Sequence, residues 1–272
     1  NRPDTFSRVF EVVRKIRPSK LYLAQDGARP GKGDEKKVLE CRKIADSVDW
    51  NCEVKKNYGE ANLGCGTRPY SAISWVLNQE EDVIILEDDC VADISFFAYC
   101  EELLDRYRDD ERILYISGLN HFEKWDFGGS SYGFTKGGAI WGWATWRRSW
   151  ANYDYCVSEI ADPYLTNLLA QAPEPARSRI DLWKNTNSAV QANDKLSYWD
   201  VQWGFVKYTQ NQLVIVPKYN LIQNIGIGVD STHGAGVAEK HTKYKDYNNM
   251  PTKPLEFPLK HPSHMMCDTE YD

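Results

Sequence analysis

The sequence predicts an α/β domain: a mostly parallel sheet flanked by helices, with a smaller region after it. Three observations carry that expectation. Helix-period and strand-like segments alternate from residue 5 to residue 116. Within them, Val83-Ile84-Ile85 is a β-branched run of the kind that forms a strand buried on both faces. Past about residue 120 the strands shorten and Gly and Trp cluster, in a chain of 272 residues that suits one large domain or a domain with a lobe.

Phe6, Val9, Phe10, Val13 and Ile16 fall at helical spacing over 5–16, with Asp4 or Thr5 as N-cap and Pro18 as the stop. Lys20–Ala24 reads as a short strand closing on the turn signal Gln25-Asp26-Gly27. A second helix is expected over 34–46 and a strand near Cys52-Glu53-Val54. Behind Asn62-Leu63-Gly64-Cys65-Gly66 comes a helix through Ile73, Val76 and Leu77, then the apolar strand at 83–85. Phe96, Phe97, Cys100, Leu103, Leu104 and Tyr107 make the stripe of another helix, and Ile113–Ile116 gives one more strand. Residues 159–195 look helical around a proline-broken loop at 173–175. A helix is expected at 201–208, and a proline-rich tail from 251 drapes over the domain.

Thirty-nine acidic against 33 basic residues give a formal charge of -6, which argues against nucleic acid as the main partner. Seven scattered cysteines, without a CxxC pair, read as reduced and mostly buried thiols rather than a disulfide frame or zinc site. No apolar run approaches membrane-spanning length. The expectation is therefore a cytoplasmic protein without a membrane span, with peripheral association at the inner membrane face left open. Ten Trp and sixteen Tyr suit sugar or nucleotide stacking and equally a well-filled core.

The chemistry concentrates at Glu87-Asp88-Asp89, directly after the apolar strand. Three adjacent carboxylates cannot stay in a core or crowd together unless something positive neutralises them. Open α/β sheets bind ligands at the carboxyl ends of their strands. A hard divalent cation bridging to phosphate oxygens answers both demands, and a solvated acidic cap is the plainer alternative.

Several landmarks occur in order: Asn1-Arg2-Pro3-Asp4, Gln25-Asp26-Gly27, Asn62-Leu63-Gly64, Glu87-Asp88-Asp89, Trp141-Gly142-Trp143-Ala144-Thr145-Trp146, Trp199-Asp200-Val201-Gln202-Trp203, and Gly226-x-Gly-x-Asp-Ser231-Thr232-His233-Gly. Together they resemble a GT-A (Rossmann-like) glycosyltransferase of the bacterial type related to N-acetylglucosaminyltransferase I. The resemblance spans nearly the whole chain. It implies Mn²⁺ or Mg²⁺ as cofactor, a nucleotide-diphosphate sugar (a UDP-sugar) as donor, and a glycan or glycolipid acceptor. It divides one domain into a donor half at 1–120, an acceptor-binding and catalytic half at 121–250, and a tail at 251–272. It also places a strand ahead of Asn1, with Asn1 and Arg2 lining the nucleotide pocket.

By position, the resemblance makes Asp89 a direct metal ligand. Glu87 and Asp88 would bind ribose or donor-sugar hydroxyls or metal-bound water. Asp26 matches the residue that contacts the base; an ordinary Asp-Gly turn is the alternative. Gly64 and Gly66 would allow close backbone approach, and Arg68 would face phosphate or stay solvated. Asp200, between Trp199 and Trp203, is the expected general base of an inverting transfer, and an N-capping Asp for the following helix is the plainer role. Ser231 or Thr232 would donate to phosphate, and His233 would be a second metal ligand or a phosphate contact. Trp141 and Trp143 would wall a sugar, whereas Trp146 and Trp150, at i,i+4, read as a helix face in the core.

Two other functions fit the sequence. A sugar nucleotidyltransferase would release pyrophosphate from a nucleoside triphosphate. A glycan-binding module with structural metal would bind sugar without nucleotide.

Overall fold

The computed structural model describes residues 1–226 and 247–272. Helix α1 (Pro3–Ile16) opens with proline at its first position, where a fixed φ and a missing N–H cost nothing. Its N-cap is therefore Arg2 rather than Asp4 or Thr5, and the Thr5 hydroxyl turns back to donate to the Arg2 carbonyl at 3.2 Å. Strand β1 (Lys20–Gln25), helix α2 (Glu35–Ala45) and strand β2 (Glu53–Tyr58) form a crossover unit with the two strands parallel. Helix α3 (Gly64–Leu77) leads to β3 (Asp82–Ile85), followed by β4 (Cys90–Ala92), α4 (Ser95–Arg106) and β5 (Ile113–Ser117). The expected alternation of elements is present.

The direction of the strands differs from the expectation of a mostly parallel sheet. The remaining strands are β6 (Tyr132–Thr135), β7 (Trp143–Trp146), β8 (Leu213–Pro217) and β9 (Ile222–Asn224). A five-stranded mixed sheet runs in the order β3-β7-β5-β8-β6, and of its pairings only β5–β8 is parallel. The cause is β7, which slots between β3 and β5 and runs opposite to both, with Ile85 opposite Trp143 and Asp82 opposite Trp146. A further two-stranded antiparallel pair joins β4 to β9. Trp146 thus ends a strand and only Trp150 lies in the short helix α5 (Arg147–Trp150), so their four-residue spacing is not a helix face. Both are buried nonetheless.

Helices α6 (Pro163–Gln171), α7 (Ile180–Gln191) and α8 (Asp200–Thr209) complete the chain's second part. Asp162 caps α6 by accepting from the Tyr164 N–H at 2.9 Å, ahead of a proline at the first helical position.

One core cluster gathers α4, β5 and β6 with Leu255 and Leu259 of the tail. A second packs Trp143, Trp150, Trp199 and Trp203 with Tyr271. Residues on both sides of positions 120 and 250 share these clusters. The tail guards the edge strand β6. Cys267 bridges to Phe134, and the Asp272 carboxylate accepts from the Thr135 hydroxyl and from the N–H groups of Lys136 (2.9 Å) and Gly137 (2.7 Å). All seven cysteines are free; three are buried and four only partly so, fewer than expected. Among the described residues no helix is long and apolar enough to cross a membrane.

Tyr271 is 4 % exposed and packs against Phe122, Trp125 and Phe127. Tyr271→Ala is expected to lower stability by about 3 kcal/mol in urea denaturation, as removal of a buried aromatic does. A loss below about 1 kcal/mol would show the tail to be dispensable for folding.

Candidate functional site

A continuous cleft of about 1940 Å³ reaches the carboxyl ends of β1 and β3 and the start of helices α1, α3 and α8. Asp26, Arg68, Glu87, Asp88, Asp89, Trp141 and Asp200 all line it, although up to 174 residues separate them in sequence (200 minus 26). Ser231, Thr232 and His233 lie outside the described residues.

The acidic corner forms where the chain leaves β3 and reverses. The Cys90 N–H donates to the Glu87 carbonyl at 3.2 Å, and the Asp89 carbonyl accepts from the Ile225 N–H at 2.9 Å, which ties the corner to the end of β9. Arg2, at the head of α1, is the cation within this corner. Its guanidinium donates twice to Asp88 and lies 2.8 Å from an Asp89 oxygen. Burial works against its charge, but the two aspartates outweigh that and hold it ionised. The Glu87 carboxylate has no hydrogen bond or ion pair among the described residues. Burial first, then the neighbouring Asp89, Asp88 and Asp200 charges, push it up to about 8. Burial likewise raises Asp89 against the pull of Arg2.

One guanidinium thus faces three carboxylates. Ligand atoms of Glu87, Asp89 and Cys90 lie within 4.8 Å of one another. Cys90 is fully buried, its thiol is pushed well up by burial, and its Sγ lies 3.6 Å from an Asp89 oxygen as a donor. It stays a thiol and suits a hard cation poorly, which leaves carboxylate oxygens, the donors that Mg²⁺ and Mn²⁺ prefer. Gly226 completes the cradle. A Cβ there would sit 1.8 Å from an Asp89 oxygen and 2.6 Å from the Arg2 guanidinium, so only glycine lets the chain pass.

Several predicted residues have structural duties that their local sequence did not announce. The Asp26 carboxylate accepts from the N–H groups of Leu63 and Gly64, both at 2.8 Å, and thereby caps the start of α3. Arg68 reaches back to the end of β2, donating to the Asn57 carbonyl and side chain, with its Nε buried and unpartnered. Gly64 takes a φ of +83°, as its position before a helix requires. Gly66 makes room for protein rather than ligand, since a Cβ there would meet the Leu196 carbonyl oxygen at 2.1 Å.

Asp200 is the first residue of α8, with Trp199 at the N-cap, so the carboxylate is not the cap. It is exposed to the cleft and makes no hydrogen bond or ion pair among the described residues. Trp203 points into the core instead of walling it, being 1 % exposed. Trp141 lines the cleft half-buried, whereas Trp143 is wholly buried in β7 and cannot face a sugar. Asn224, which accepts from the Gly226 N–H at 2.9 Å, also lines the cleft. Neither it nor the ion pairing of Arg2 had a sequence signal beyond position beside a motif.

No protein-family model matches the chain, and no curated protein matches it significantly.

Glu87 has a pH consequence of definite sign. Its acid form persists in the folded chain to about pH 8 but only to about 4.5 when unfolded, so the folded state holds the extra proton between those values. Stability contributed by this group falls as pH rises through that window. Lys207, which burial pushes down to about 7, acts in the opposite sense above that pH, so the measurement compares variants. Glu87→Gln is expected to match the unmodified chain near pH 5 and to melt several degrees higher at pH 8 without metal. A constant difference across that range would mean that Glu87 is not held protonated.

Proposed function

We propose that this chain is a metal-dependent, inverting glycosyltransferase of the GT-A type that moves a sugar from a UDP-sugar to a hydroxyl of a glycan or glycolipid. The observation that carries the reading is the unpaired Glu87 beside Asp88 and Asp89, at the end of a cleft that also holds an unpaired Asp200. The surplus of negative charge calls for a cation, and the free carboxylate opposite it suits proton abstraction.

In this reading Asp89 and Glu87 hold Mn²⁺ or Mg²⁺, and Asp88 stays with Arg2. When bound, the ion supplies positive charge against the diphosphate as the sugar leaves. The chain's own residues do the rest. Asp26 keeps the head of α3 in place, so that its first N–H groups stand at the cleft where phosphate would lie. Trp141 offers a half-buried ring edge to the donor or acceptor sugar. Asp200 takes the acceptor hydroxyl proton while that oxygen forms its bond to the anomeric carbon, and the bond to the diphosphate oxygen breaks. A single displacement of this kind inverts the anomeric centre, and the proton ends on an Asp200 carboxylate oxygen.

UDP with Mn²⁺ is expected to raise the melting temperature well beyond either alone, as a ligand bound only by the folded state does. Asp89→Ala should lose the Mn²⁺-dependent part while keeping its circular dichroism spectrum. If that variant retained the full joint shift, the metal would lie elsewhere.

Asp200→Asn is expected to keep the UDP–Mn²⁺ shift and to lower sugar transfer by roughly 10²–10⁴. Product analysis from a sugar-nucleotide panel checks this, and unchanged turnover would remove Asp200 from the base role.

A further inference from the structure

Below the acidic corner the cleft continues as a slot between β1 and β3. Its walls include the unbroken runs Pro18–Gly27 and Asp82–Asp89, so a whole backbone edge of each strand faces it. Each strand is paired on one side only, β1 with β2 and β3 with β7. Apolar side chains close it from the helices: Phe6, Val9, Val13 and Ile16 of α1, and Ile73 and Val76 of α3. The burial of these parts records the same gap. β5 and β7 are buried at every position, whereas all four residues of β3 are only half-buried despite their apolar sequence.

We propose that this slot receives one further β-strand, apolar on both faces and hydrogen-bonded to β1 and β3 together, supplied by residues joined covalently ahead of Asn1. The occupant follows from direction. Asn1 and Arg2 lie at the carboxyl end of the slot, where Asn1 donates to Asp34 at 2.7 Å and Arg2 pairs with Asp88 and Asp89. Helix α1 then runs back to the amino end of β1. A strand feeding α1 through the slot therefore runs parallel to β1, making a strand–α1–β1 crossover like the β1–α2–β2 unit beside it. Its length is bounded by its neighbours at four to six residues. Because helices cover it on both faces, it reads as a continuous apolar run rather than an alternating one. A free peptide or a second copy would have to end its strand against Asn1, which occupies the exit. The inference stands apart from the identity of the ligand at the acidic corner.

The test adds a polar leader and six residues ahead of Asn1 in three forms: Val-Ile-Val-Val-Ile-Val, the same run with prolines at alternate positions, and Gly-Ser repeats. Melting temperature, sedimentation and residue-resolved amide exchange are measured on each and on the unextended chain. The apolar form is expected to stay monomeric and to melt at least about 5 °C above the Gly-Ser form. It should also slow exchange of the slot-facing amides in both Lys20–Gln25 and Asp82–Ile85 at least tenfold, and the proline form should do neither. Unchanged exchange in those strands with the apolar form would overturn the proposal. So would protection in the unextended chain that grows with concentration, because the occupant would then be a second copy.

Discussion

The charge at the end of β3 is the constraint on which the rest of this structure depends. Three consecutive carboxylates stand where a strand leaves the core, and the described chain brings a single guanidinium against them, Arg2. Asp88 receives two hydrogen bonds from it, Asp89 one close contact, and Glu87 none. Glu87 holds its proton to about pH 8, which removes one negative charge at the expense of a buried acid. The corner is left anionic even so, and every element around it is arranged to tolerate that: glycine at 226, and the starts of α1, α3 and α8 with their partial positive ends.

The position of Asp200 shows how packing far from solvent serves this corner. Trp143 and Trp199 stack at 5.7 Å, Trp150 and Trp203 lie 4.9 Å apart, and the Tyr153 hydroxyl donates to the Trp199 carbonyl at 3.0 Å. These rings fix the first turn of α8 from beneath. Asp200 itself touches nothing, yet its backbone is held by the best-packed part of the molecule, and its charge stands close enough to Glu87 to raise it. A free carboxylate on a rigid element is what a proton-transfer role needs. The tryptophans act through the core, and only Trp141 is left at the cleft.

The alternation of helix and strand was legible because apolar spacing reports which residues are buried, and the helices over 3–16, 64–77, 95–106 and 200–209 follow it closely. Strand direction was not legible. Nothing in Trp143–Trp146 tells a chain to enter between β3 and β5 and run against both, and the spacing of Trp146 and Trp150 mimics a helix face across a strand–helix junction. Val83–Ile85 was read correctly as a strand but not as a half-covered one, since the gap beside it belongs to the sheet and not to the segment. The acidic triplet was legible because three charges after an apolar run are costly without a reason. The capping duty of Asp26 and the clearance at Gly66 were not, because each depends on a partner far off in sequence, Gly64 in one case and Leu196 in the other.

Arg2 and a divalent cation answer the same need, and this makes the corner an exchange site more than a fixed ion pair. Guanidinium and metal both seek the Asp89 carboxylate, but a guanidinium brings one charge spread over a plane, and a divalent ion brings two at a point. With three carboxylates against one guanidinium, a cation that took Asp89 and Glu87 would drive off the Glu87 proton and leave Asp88 to hold Arg2 by its two existing bonds. Arg2 need not leave for the cation to enter. Its fork would stay anchored at the head of α1 beside the newly neutral corner, which is where the negative oxygens of a diphosphate would find both charges at once.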